Sequence, residues 1–137
     1  MHLYSNVLKL AALVFFAVAG VHLIFGLGAD QMLGAILLPE TVSEPSLDSQ
    51  NRFYGVAFSL YGVTLYICAK DLSRFRPILV AAFAVFFMAG CARLVSWAIH
   101  GAPAPIVIGL LATELILPPL LYGWLRKVTP VNGSNFT

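Results

Sequence analysis

Charge is what this chain has least of. Only 10% of its 137 residues are Asp, Glu, Lys or Arg, where a soluble domain carries about 25%. The formal net charge of +2, with no basic cluster interleaved with aromatics, excludes nucleic acid as a partner. Cysteine is nearly absent as well. Cys68 and Cys91 fall near opposite ends of different apolar runs, further apart than the ~7 Å a disulfide tolerates, so both are read as free thiols. No CxxC or HExxH spacing occurs, and His22 and His100 have no flanking carboxylate or cysteine pattern, so no metal site is assigned. A Gly-rich phosphate loop, a GxSxG elbow and an internal repeat are all missing, and no motif names a cofactor.

Long apolar runs are what the chain has instead. Hydrophobic residues make up 60% of it, and a bilayer is crossed by about 20 consecutive apolar residues. Four such runs, about 7–27, 51–69, 77–99 and 106–125, use nearly the whole length and predict one domain over 1–137. The fold class is all-α, an integral membrane four-helix bundle whose first partner is the lipid bilayer itself. A cleaved secretory leader is the rival for the first run, with Lys9 as its charged region and Ala17-Val18-Ala19 as its cleavage site. The apolar run continues past Ala19 to full spanning length, which favours a span.

The longest connection, residues 28–50, is acidic, with Asp30, Glu40, Glu44 and Asp48. Its apolar stretch 32–38 is too short to cross and predicts a brief interfacial helix ended by Pro39. Ser46 or Asp48 is the expected cap of the second span. Gly55, Ser59 and Gly62 share one face there, as close helix packing in lipid requires. Pro118-Pro119 should kink or narrow the fourth helix. The tail 130–137 is expected to be disordered.

Lys9, the Lys70/Arg74/Arg76 loop and Arg126/Lys127 fall on one side of four spans, so the positive-inside rule predicts that both termini are cytoplasmic. Against that background Arg93 stands out, an arginine inside an apolar run, and such a residue in a membrane is by default a functional-site hypothesis. Glu114 is the only carboxylate deep in another run and is its expected partner. At 1.5 Å per residue Arg93 lies ~9 Å and Glu114 ~13 Å below the outer ends of their spans, a gap long side chains bridge. Arg93, Ser96, Trp97 and His100 follow helical spacing and form one polar face. His22, Asn51 and Arg52 occupy the outward half of the first two spans.

These residues support several functions. Arg52, Arg93, Glu114, Asn51, His22, Ser96 and Trp97 can line an outward-facing polar pocket for an amphiphile, lipid or quinone-like, with its head on the two arginines. Glu114 or His22 can alternatively act as acid or base in an intramembrane enzyme. A structural Arg93–Glu114 pair, in a subunit whose partner is another membrane protein or a second copy, is the third possibility.

Leu47-Asp48-Ser49-Gln50-Asn51-Arg52-Phe53-Tyr54-Gly55, then Gly90-Cys91-Ala92-Arg93-Leu94-Val95-Ser96, Gly101-Ala102-Pro103, and Glu114 with Pro118 resemble the bacterial membrane family known as domain of unknown function 4345. The resemblance covers essentially the whole chain. It implies four helices in a bacterial inner membrane and Arg52, Arg93 and Glu114 as the family's polar positions, and it implies no activity. A looser similarity to DoxX-like four-helix proteins is one of topology.

Overall fold

The computed structural model describes residues 1–130, and all its regular elements are helices. Four are long: α1 (His2–Phe25), α4 (Pro45–Lys70), α5 (Arg76–His100) and α6 (Pro105–Val128). Between α1 and α4 lie two short turns of helix, α2 (Gly28–Met32) and α3 (Pro39–Val42). The four long helices are each long and apolar enough to cross a membrane. With 24 to 26 residues apiece, each exceeds the ~30 Å hydrocarbon core at 1.5 Å per residue. A helix satisfies its own backbone there, where no water can. Side chains such as Leu13, Ile24, Val85, Ile99 and Leu120 point outward and exposed, which is the apolar surface lipid requires.

Proline sets the starts. Pro45, Pro77 and Pro105 each stand in the first turn of their helices, where the missing N–H costs nothing. The α4 helix accordingly begins at Pro45, ahead of the apolar run expected from about 51. Its cap is Glu44, whose carboxylate accepts from the Leu47 N–H at 2.6 Å, so neither Ser46 nor Asp48 takes that role. That backbone N–H holds the Glu44 carboxyl below the usual carboxylate range. The loop also differs from expectation. Residues 33–38 are not helical, and Pro39 opens α3 instead of closing a helix, because proline lacks only a donor that a first turn never uses. The polypeptide runs helically through Pro118 and Pro119. The tail expectation lies outside the described residues from 131 onward.

α1 packs antiparallel along α4, α5 packs along α6, and the contacts between these two pairs are less extensive. Gly55 and Gly62 make the first pair possible: a Cβ at Gly55 would collide with His22, and one at Gly62 with Phe16. The two pairs lock at the end that carries Lys70, Arg74, Arg76, Arg126 and Lys127. There Tyr4, Leu8, Cys68, Leu79 and Leu125 are fully buried in one cluster. The Tyr4 hydroxyl donates to the Leu121 carbonyl at 3.0 Å and its ring meets Trp124 edge-on. The Tyr61 hydroxyl donates to the Ala82 carbonyl at 2.7 Å, and Phe15 lies against Tyr61, Phe58 and Phe86.

Gly55→Leu forces α1 from α4 at His22, and overpacking of this kind costs about 1–3 kcal/mol or more. Its thermal midpoint in detergent should fall clearly below that of wild type, whereas Gly20→Leu, with open space around its Cβ, should leave it in place. An unchanged midpoint for Gly55→Leu would show that the contact does not support the fold.

Candidate functional site

The inward stripe of α5 changes character halfway along. Leu79, Phe83, Phe86, Gly90, Arg93 and Trp97 recur at alternating spacings of four and three, the pattern of a seam facing other helices. Leu79 and Phe83 are buried in the core, and Phe86 meets Phe15 and Tyr61. Two turns further, at ~1.5 Å per residue, the same stripe presents Arg93.

Gly90 lets α6 come close. A Cβ there would lie 2.8 Å from Leu115 Cδ2 and 3.1 Å from Glu114 Cβ. Glu114 is 5% exposed. The Nε–H of Arg93 donates to both of its oxygens, at 2.9 Å and 2.8 Å, so a single donor is shared between them. The two terminal nitrogens of Arg93 have no hydrogen-bond partner among the described residues, and the side chain is 36% exposed. Four charged N–H donors therefore remain open. Trp97 is half-buried one turn on, while Ser96 and His100 are exposed. Pro118 and Pro119 supply no N–H to the carbonyls of Glu114 and Leu115 four residues earlier, leaving two backbone acceptors beside the pair.

Arg52 has different work. Its Nη1 donates to the carbonyls of Leu23 and Ile24, and Nε and Nη2 donate to Asp48. The carbonyls at a helix C-terminus lack intrahelical donors, and here a guanidinium supplies them at the favourable end of the helix dipole. Asp48 also accepts from the Leu27 N–H at 3.3 Å. Gly26, at φ +54°, turns the chain over this carboxylate, and a Cβ there would strike it. The shared head site expected on the two arginines is thus divided: they have no common partner, and most of the Arg52 donors are occupied.

His22 and Asn51 belong with Arg52. His22 is 8% exposed and its Nδ1 lies 2.9 Å from the Val18 carbonyl. Its Nε2 is 3.7 Å from Asp30, whose other oxygen accepts from the Asn51 amide. Asp30 was legible only as a loop charge, since nothing in the spacing shows that α2 folds back over α1. Gly26 and Gly90 were likewise hidden, for a glycine's close approach is a property of the neighbour that reaches it. Among the described residues no group of three or more His, Cys, Asp or Glu converges, and Cys68 and Cys91 are free thiols.

In the half of the bundle away from the basic end these side-chain contacts run within each helix pair. The pairs meet again at the mouth, where Gly34 of the loop lies near Ala104. Between that mouth and the Phe15–Phe86 floor, Arg93, Trp97, Asn51 and Phe58 are only half-buried. A shallow cavity of about 200 Å³ lies at the opposite end, lined by residues including Ser5, Lys70 and Asp71. An open one lies outside α4 at Ser46, Ser49, Gln50 and Phe53.

The family described as Domain of unknown function (DUF4345) matches residues 5–125. The chain belongs to this family. The DUF4345 match takes in Arg52, Arg93 and Glu114, and it supplies a family without an activity. No curated protein and no solved structure matches this DUF4345 chain.

Proposed function

We propose that this small multi-pass membrane protein binds a lipid-soluble amphiphile, with the polar head on Arg93 and the apolar tail between the two helix pairs. The observation that carries the proposal is the state of Arg93: Glu114 holds its Nε–H, while its terminal N–H groups have no partner among the described residues and the side chain stays 36% exposed. Unpaired charged donors at membrane depth are costly, and an acceptor brought in by a ligand removes that cost. A guanidinium presents those donors as a planar fork and remains charged. Trp97 flanks the head, and Phe86 and Phe58 offer apolar surface to the tail. Arg52, His22 and Asn51 serve as the frame that holds α1, α2 and α4 at the outer mouth.

The proposal extends to a bacterial inner membrane with the basic end in the cytoplasm. Lys70, Arg74, Arg76, Arg126 and Lys127 gather at that end and Asp30, Glu40, Glu44 and Asp48 at the other, as the positive-inside rule describes. Reporter fusions after residue 137 and within 40–46 should read cytoplasmic and external respectively, and the reverse pair of signals would invert the map.

Mass spectrometry of protein purified in mild detergent tests the ligand. Wild type should retain one discrete amphiphile, and Arg93→Lys, which keeps a cation for Glu114 but loses the fork, should retain at least about tenfold less. Equal retention by both, or only the bulk lipid mixture in either, would refute the proposal.

A further inference from the structure

Building on the amphiphile-binding reading above, we infer that the head held at Arg93 is neutral and carbonyl-bearing, not anionic. Arg93 is already neutralised. Both oxygens of Glu114 sit on its Nε–H at 2.9 Å and 2.8 Å, and among the described residues no other charged side chain forms an ion pair or hydrogen bond with the pair. Glu114 is 5% exposed and has nowhere to retreat while Gly90 holds α5 against its Cβ. An anion on the terminal nitrogens would share one guanidinium with a buried carboxylate and leave the site with a net negative charge. In a low dielectric that like-charge juxtaposition opposes binding strongly. A carbonyl oxygen has two lone pairs for the open N–H donors and adds no charge. All the open groups on Arg93 are donors, so the head must supply acceptors. Trp97, half-buried one turn on along the same stripe of α5, offers an aromatic surface about one turn from Arg93, which suits a carbonyl carried on a ring.

Carbonyls in a bilayer come from ring ketones and from ester lipids, and three probes separate these sources from an anion. The protein in nanodiscs of ether-linked phosphatidylcholine, which carries no ester carbonyl, is titrated with decyl-1,4-benzoquinone, dioleoylglycerol and dodecanoate, against empty nanodiscs. At least one neutral probe should bind wild type more than about tenfold more tightly than dodecanoate. Whichever neutral probe binds tighter identifies the carbonyl source, and the benzoquinone alone should weaken in Trp97→Leu. Glu114→Gln, which leaves the Arg93 charge uncompensated, should raise dodecanoate affinity by a similar factor. Dodecanoate binding wild type as tightly as the neutral probes would overturn the inference while leaving a ligand site at Arg93. Failure of all three probes to bind wild type would overturn both the inference and the amphiphile-binding reading. Should Glu114→Gln not fold, the wild-type ranking decides.

Discussion

A guanidinium and a carboxylate facing each other across two apolar helices set the terms for the half of this protein away from its basic end. Neither charge is tolerable alone at that depth, since each ion loses its hydration and only the other replaces part of it. The pair therefore fixes the register of α5 on α6. Gly90 supplies the close approach the short bridge needs, and the two prolines one turn beyond Glu114 have no N–H to offer the carbonyls four residues earlier. The match is incomplete in one respect. Glu114 uses one donor of Arg93 and leaves its terminal N–H groups without a partner among the described residues.

The bundle divides its labour along the membrane normal. At the basic end Tyr4, Leu8, Leu79 and Leu125 close the core completely, and two tyrosine hydroxyls bond to carbonyls on the opposite helix pair. Toward the other end the pairs are held internally, α1 to α4 by Arg52 and Asp48, α5 to α6 by Arg93 and Glu114. Tight packing thus marks one end of the bundle and separate polar ties within each pair mark the other.

The four helices were legible in the sequence because length and apolarity alone specify a span. Arg93 and Glu114 were legible because a single deep cation and a single deep anion have one way to be satisfied. Arg52 was not. Its place depends on Gly26 turning the chain over Asp48, and a capping guanidinium looks in sequence like any arginine at a helix mouth. The start of α4 was misplaced because Pro45 and Ser46 resemble a turn, although proline suits the first position of a helix equally well. Asp30 went unnoticed as a neighbour of His22 because its approach is made by the short α2, which the apolar stretch at 32–38 mimics a few residues too late.

Arg93 and Glu114 can be tested directly as a site against a mere brace. The direct measurement is a double-variant cycle, Arg93→Met, Glu114→Leu and both together, reading thermal stability and retained small molecules on the same preparations. Removing one partner leaves a bare buried charge and should cost about 3–5 kcal/mol, while replacing both with apolar residues should be nearly neutral. If the pair is a binding site, the double variant regains wild-type stability and emerges empty of its amphiphile. A double variant that regains stability and still carries the same amphiphile would contradict it, and would leave the pair as architecture.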